Sequence, residues 1–192
     1  MLLRAAALAT LLALAPVSAR AEWALDPSHT HVGFTVNHLG FSDVTGMFRA
    51  VDAEVRFDPQ DLAATEVTVT IDAASVDTFW AIRDKAIRSG EFLDVANHPE
   101  IRFVTTAVTP TGDGTATVTG DLTLRGVTHE VSLDATLNAI GPHPFMPELE
   151  IAGFTLTGAI DRTAFGIDFA APAIAAVIPV TINVELNRGG RP

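Results

Sequence analysis

Between Thr115 and Leu137 the chain reads TATVTGDLTLRGVTHEVSLDATL, and two runs of strict alternation within it leave few ways to fold. In the first run Ala116, Val118, Leu122 and Leu124 alternate with Thr115, Thr117, Thr119, Asp121 and Thr123. In the second, Val127, Val131, Leu133, Ala135 and Leu137 alternate with Thr128, Glu130, Ser132, Asp134 and Thr136. A period of two is the period of a strand. With Arg125-Gly126 as a two-residue loop, Leu124 faces Val127, Leu122 faces His129, Gly120 faces Val131, Val118 faces Leu133 and Ala116 faces Ala135. A slip of one residue would turn every side chain over, so the pattern fixes the pairing. Arg-Gly is weaker chemistry than Asn-Gly for the primed turns of hairpins, which leaves a longer loop open.

The same rule recurs along the chain. Glu22 to Leu25 reads as a short strand stopped by Asp26-Pro27-Ser28, and from His31 onward Val32, Phe34, Val36 and His38 share one face. Gly40 to Gly46 reads as a loop. Met47 to Phe57 sets Val51, Ala53, Val55 and Phe57 against Asp52, Glu54 and Arg56, and Thr65 to Asp72 aligns Val67, Val69 and Ile71. Ile101 and Phe103 open a strand that runs to Thr109, while Ile151 to Ile160 and Ala176 to Leu186 supply the last two. Thr78 to Ser89 breaks the alternation. There Phe79, Ile82 and Ala86 recur at helical spacing, Asp77 or Thr78 is placed to cap, Asp84 and Arg88 sit one turn apart, and Gly90 follows as a stop. Gly141 to Pro147, with three prolines around His143, Phe145 and Met146, reads as a stiff rim loop, and Asn187 to Pro192 as a frayed tail.

About eight antiparallel strands with one inserted helix predict a mainly β fold, either a closed barrel or a sandwich. Strands of about 10 to 12 residues would make a barrel about 25 to 30 Å tall, long enough for an extended lipid tail.

The start of the chain predicts export. Met1 to Arg4 is a basic lead, Leu8 to Ala15 is apolar, and Ala19-Arg20-Ala21 has the small-x-small form of a cleavage site, so residues 1–21 read as a secretory signal peptide and 22–192 as one mature periplasmic domain. The apolar run is too short for a stable anchor, and no other is long enough to span a bilayer. Removing Arg4 and Arg20 with no acid takes the formal net charge from −11 to −13, which disfavours nucleic acid and anionic membrane surfaces as charge-driven partners. The absence of cysteine rules out disulfides, thiolate metal sites and a cysteine nucleophile. Gly40-Phe41-Ser42-Asp43-Val44 lacks the second glycine of a nucleophile elbow, and Gly112-Asp113-Gly114 opens no helix as a phosphate loop would. A non-enzymatic role is expected.

Motifs in a fixed order carry a resemblance across nearly the whole mature chain: DPSHTHVGFTVNHLGFSDVTGMF, FDP, ASVDT followed by RD, EFLD, HPEIRF, VTGDLTLRGVTHEVSL and IDRTAFGI. Together they resemble the YceI-like family of exported bacterial proteins. The resemblance implies a lipocalin-like antiparallel β-barrel with a helix beside one end, and an elongated cavity that binds a polyisoprenoid, an isoprenoid quinone or another long-chain amphiphile. It implies no cofactor besides that lipid. Around the helix, FWAIRDKAIRS is more apolar before its RD than in many relatives, which draws attention to Phe79 and Trp80 at the barrel mouth.

On this reading the cavity face carries Phe34, Val36 and His38, then Val51, Val55 and Phe57, then Val69, Ile71 and Phe103. From the later strands it takes Val118 and Leu122, His129, Val131 and Leu133, and finally Phe154 and Ile182. His29, Arg83, His143 and Arg162 are the candidates for rim or head-group contacts. His129 lies opposite Leu122 on the apolar face, where a polar group needs a partner: a ligand head group or a satisfying core contact. Arg162 is placed to meet a quinone or phosphate oxygen, with pairing to Asp161, Asp168 or backbone carbonyls the favoured role. Arg83-Asp84 reads as helix anchoring ahead of ligand gating. His29, His31 and His38 are close in sequence, but alternation puts His38 on the opposite face from the other two, so no metal site is expected.

The leading expectation is a binding protein that sequesters or carries the amphiphile. One alternative is an enzyme acting on a lipid-like substrate, with His129 or His38 as base and Arg162 as electrophile. Another is an accessory protein that hands quinone to a membrane cytochrome complex. Whether the barrel forms a homodimer is left open by the sequence.

Overall fold

A computed structural model describes residues 22–189; the expected signal peptide, residues 1–21, and the last three residues of the expected tail lie outside the described residues. Eleven strands and one α-helix follow in chain order. They are β1 (Ala24–Leu25), β2 (His31–His38), β3 (Ser42–Phe48), β4 (Val51–Arg56), β5 (Glu66–Asp72), β6 (Val76–Asp77), α1 (Ala81–Ile87), β7 (Glu100–Gly112), β8 (Thr115–Leu124), β9 (Val127–His143), β10 (Met146–Asp161) and β11 (Val177–Gly189). Nine strands have six residues or more, in place of the eight or so expected.

The hairpin of β8 and β9 forms in the register dictated by its alternation, from Leu124 opposite Val127 to Ala116 opposite Ala135. Its turn is the two-residue form, with φ of 51° at Arg125 and 73° at Gly126. Both central residues of a type I′ turn need positive φ, which a non-glycine residue resists. Arg125 is held there by tertiary contacts, since its guanidinium donates to the carbonyls of Gly166 at 2.6 Å and Gly90 at 2.7 Å. Further along, a Cβ on Gly120 would fall 2.5 Å from the Val104 carbonyl oxygen and 2.4 Å from Phe103 Cζ. Only glycine lets Phe103 lie across that strand.

The sheet runs β4-β5-β7-β8-β9-β10-β11-β2-β3-β6, antiparallel at every step, with β1 added against β11. It curls around one apolar interior as a lipocalin-like barrel whose ladder does not close on itself. At the seam, β1 packs beside β4, and the corner between β3 and β4 is tied down by Arg49 N–H to Ser75 O (3.3 Å) and Asp72 N–H to Ala50 O (3.1 Å).

Register places the two ends. Val180 pairs with Phe34 and Ile182 with Val32, so the close of β2 at His38 lies beside the start of β11 and the end of β10. β8 and β9 bring their turn to this same end, where Arg125 reaches the segment after α1. Here Ile71, Val76, Leu93, Ile101, Leu124, Phe165 and Ile167 form the larger buried cluster. At the far end Trp23, Ala152 and Leu186 are buried with Phe57 and Phe154 against them. Trp23 to Phe57 (5.6 Å) and Phe57 to Phe154 (5.2 Å) form an aromatic plug.

Five segments depart from expectation. Gly40 to Gly46 is not a loop, because Ser42 to Gly46 pairs with β2 as the first part of β3, and the run Met47 to Phe57 is divided between β3 and β4 by the corner at Arg49-Ala50. The helix is shorter than Thr78 to Ser89 and is capped by neither Asp77 nor Thr78: Trp80 occupies the N-cap position. The reason is that both candidates are engaged elsewhere. The buried Asp84 carboxylate accepts from Thr78 N–H (2.8 Å) and Thr78 Oγ1–H (2.5 Å), and Asp77 accepts from Arg49 Nε (2.5 Å) and Phe79 N–H (2.7 Å). The Gly141 to Pro147 segment is not an open loop, because β9 continues to His143 and β10 resumes at Met146 around a two-residue turn. Of its prolines, Pro142 stays in register opposite Glu150, Pro144 lies in the turn, and Pro147 falls in the register shift between Met146 and Glu150. Asn187 and Arg188 belong to β11 and not to a frayed tail. Arg188 is buried, stacks over Trp23 at 4.3 Å and pairs with Glu150.

Candidate functional site

The curled sheet encloses a cavity of about 750 Å³. Its wall takes the inward residue of each strand pair, so alternate positions of β2, β4, β5, β7, β8, β9, β10 and β11 all contribute. Of the residues expected to face it, Phe34, Val36, His38, Val51, Val55, Phe57, Val69, Ile71, Phe103, Val118, Leu122, Val131, Leu133, Phe154 and Ile182 line the cavity. Arg83 and Arg162 line it too.

The wall is asymmetric in two respects. Its solvent-exposed members, His38, Ser42, Trp80 and Ala86, all belong to α1, the residue before it, or the adjoining ends of β2 and β3, so the cavity opens there. Its charged members are Arg83 and Arg162, both at this open end, and no carboxylate faces the interior among the described residues. Toward the far end the polar lining thins to threonines such as Thr65, Thr105 and Thr115 among valine, leucine and phenylalanine.

Each arginine is locked by backbone. Arg162 starts the 3-10 turn Arg162–Phe165, is buried, and donates to the carbonyls of Ala175 (2.9 Å), Ile167 (2.6 Å), Phe169 (3.1 Å) and Ile174 (2.8 Å). The guanidinium thereby staples the segment between β10 and β11 to the barrel mouth. Burial pushes it below the ordinary arginine value, while Asp168 and Asp161 nearby oppose that fall. Asp161 itself is taken by Thr163, whose hydroxyl and N–H bonds hold the carboxyl below its usual range. Arg83 donates from Nε to Thr78 Oγ1 (2.8 Å) and from Nη2 to Thr78 O (2.6 Å), and its guanidinium lies 5.5 Å from the Trp80 ring centroid. Arg83, Thr78 and Asp84 thus form one polar knot that seats α1 against the opening.

Three candidates fall outside the cavity, and each has a local reason. His129 is on the inward face by register, opposite the lining residue Leu122, but is not itself part of the wall. Its Nε2 lies 3.0 Å from Ala164 O and its ring meets Phe165 edge-on at 5.2 Å, so it is an exposed structural histidine. His143 accepts the N–H groups of Phe145 and Met146 at Nδ1 (3.0 and 3.1 Å) and serves the β9–β10 turn at the opposite end from α1. His29 is exposed, with Nδ1 2.9 Å from Asp26 Oδ2 and 3.6 Å from Glu185 Oε2. That triad brings three ligand-type atoms within 4.8 Å, the one arrangement among the described residues able to offer His and carboxylate ligands to a cation. Sequence grouping of His29 with His31 and His38 misses it, because Glu185 comes from β11. His31 instead meets Asn183, and His38 faces the cavity. The Asp26 bond and the Glu185 charge raise the His29 value. Burial pushes the Asp26 carboxyl up, but hydrogen bonds from Ser28, His29 and Asn187 outweigh it and hold the group well below the carboxylate range.

Alternation has no hold on the lining residues supplied by irregular segments. Thr78 and Trp80 precede α1, Phe92 and Leu93 follow it, and Ile174 sits in the segment stapled by Arg162. Nothing periodic in the sequence marks them.

Comparison with known proteins agrees with this architecture. The family model described as "YceI-like domain" matches residues 23–186. A UPF0312 protein of Pseudomonas savastanoi pv. phaseolicola is 42% identical over 167 residues, 86% of each chain, and one of Pseudomonas putida is 38% identical over 183 residues, 94% of each. Among solved structures, a Campylobacter jejuni YCEI protein superposes with a TM-score of 0.72 at 28% identity, covering 80% of this chain and 90% of that one. A polyisoprenoid binding domain from Saccharophagus degradans shares the fold with a TM-score of 0.63 at 15% identity, covering 88% and 99%.

Proposed function

The chain belongs to the YceI-like family, and on that footing we propose that it is a binding protein whose cavity holds the apolar tail of a long-chain amphiphile, a polyisoprenoid or isoprenoid quinone. The observation that carries this reading is the polarity of the cavity wall, which is apolar along its length and positively charged only at its open end. A tail inside would leave an oxygen-rich or anionic head beside Arg83, His38 and Ser42. Each isoprene unit removes about five carbons from water at about 0.8 kcal/mol per methylene, so a few units outweigh the several kcal/mol lost in immobilising the ligand. These contacts favour binding: of the groups the enzymatic alternative would use, His129 is turned to Ala164 and Phe165 and Arg162 spends its donors on four carbonyls, which leaves only His38 facing the cavity. Export to the periplasm, where water separates two lipid surfaces, would give such a shield its use.

The polyisoprenoid binding domain of Saccharophagus degradans supports this ligand class through its name. Native mass spectrometry and organic extraction of protein purified from its own host test the reading, with one lipid per chain expected. Repeated preparations that are empty and refuse added isoprenoid quinone would refute it.

A further inference from the structure

The mouth of the cavity is ringed by large apolar side chains that face solvent. Leu39 and Phe41 come from the β2–β3 turn, and Phe79, Trp80 and Ile82 from the start of α1. Phe41 is 89% exposed, Ile82 70% and Phe79 67%. Met47 pairs with Asp77 and Phe48 with Val76, and Thr78 packs against Gly46, so the segment that enters α1 leaves from the edge of β3. The two groups therefore flank one opening, at which Ser42 and Trp80 both line the cavity. Exposed apolar groups on this scale mark a contact surface.

Backbone geometry gives a second sign. Leu39 has φ of 59° and Phe79 of 64°, a region that branched or bulky residues avoid. Both are nonetheless fixed there: Asn37 Oδ1 accepts the N–H of Gly40 next to Leu39, and Asp77 Oδ1 accepts that of Phe79. Asp94, Arg125 and Ala170 share this region, so at Leu39 and Phe79 the strain carries weight only together with the exposure of their side chains. Around the collar, the Asp77 carboxylate is neutralised by Arg49 and that of Asp84 is buried against Thr78, while Arg83 and the exposed Lys85 ride on α1. The acids of the collar are thus partly offset, with Asp43, which accepts from Asn37 Nδ2 at 2.9 Å, left exposed beside Phe41.

We propose that this collar docks on the surface of a phospholipid bilayer, inserting Phe41, Phe79, Trp80 and Ile82 so that the cavity mouth opens directly into lipid. The inference rests on the binding reading above, because continuity between collar and cavity is what selects a bilayer as the occupant: an amphiphile moved between membrane and cavity then never crosses water. Tryptophan beside Arg83 at the rim is the side-chain pairing favoured at a membrane interface. Insertion is apolar and the protein is acidic, so a zwitterionic surface suits it better than an anionic one.

The test compares the wild-type chain with the double variant Phe41→Ser/Ile82→Ser. Neither residue lines the cavity, and both proteins are used as the host processes and exports them. Partitioning onto dioleoylphosphatidylcholine vesicles is read by co-sedimentation, and equilibrium uptake of a short fluorescent isoprenoid is read in vesicle-free buffer. We expect vesicle partitioning to fall about tenfold or more in the variant, from the loss of two inserted side chains, with uptake in buffer unchanged. A wild-type protein that ignores the vesicles, or a variant that partitions equally well, would overturn the docking surface. So would a wild-type dimer that the variant dissociates with no vesicle binding by either, since a second copy would then be the occupant. Vesicle binding lost in the variant, alongside no probe uptake by either protein, supports the docking face and counts against the carrier reading alone.

Discussion

A graded series of linear isoprenoid alcohols measures the cavity from the inside. At about 30 Å³ for each water-sized group, about 750 Å³ accommodates on the order of 25 non-hydrogen atoms, or about five isoprene units. Ligands of this size gain about 0.3 kcal/mol per atom, so each added unit should contribute about 1.5 kcal/mol, or about tenfold in Kd. Affinity should climb about tenfold per unit up to about five units and then level off, because later units protrude past Trp80 and His38 into solvent. Ala135 lines the cavity between Ala116 and Leu156, away from the mouth. Ala135→Phe adds a phenyl ring about the size of one isoprene unit, so the plateau should arrive about one unit earlier while short alcohols bind nearly as before. Isothermal titration calorimetry across the series, with far-UV circular dichroism to show that the variant folds, reads both effects. Affinity that is flat with chain length, or a plateau that Ala135→Phe does not move, would refute a tail lying along the barrel.

Two further outcomes follow from the polar contacts. Arg162→Met should lower stability by about 3 to 5 kcal/mol, since it strips hydrogen bonds from four carbonyls, some of them buried, and urea unfolding reads this as a lower midpoint. A loss under about 1 kcal/mol would mean that the segment between β10 and β11 is held without the guanidinium. For His29 the folded value is raised above the ordinary value of about 6.5 by Asp26 and Glu185, so its contribution is fully present below that pH and disappears as pH rises through the folded value. The difference in melting temperature between wild type and His29→Gln should therefore shrink toward zero on the alkaline side. Asp26, held low, stays ionised throughout this window. An NMR titration placing His29 at or below about 6.5 would remove the basis for the effect.

The identity of most strands and the pairing of β8 with β9 were legible because both are local to a line of residues. In β8 and β9 a period of two with one apolar face admits a single register, and the same logic located Phe34, Val55, Val69 and Ile182 on the cavity wall. Periodicity says which face a side chain takes and nothing about how far along the barrel the cavity extends. His129 obeys the alternation and still misses the cavity, because the Arg162–Phe165 turn fills that position with Phe165. His29 was read with its neighbours in sequence, whereas its partner Glu185 arrives through the pairing of β1 with β11.

From the order of residues alone came most of the strands, the pairing of β8 with β9, the apolar interior and the choice of arginine at position 162 as a corner anchor, since each depends on contacts between near neighbours or on a repeating pattern. Tertiary structure decided where the barrel opens, which basic groups stand at that opening, and that Leu39, Phe41, Phe79 and Ile82 gather around it. Those facts depend on how segments far apart in the chain are brought to one end of a curled sheet, and no local pattern encodes the closing of a surface on itself.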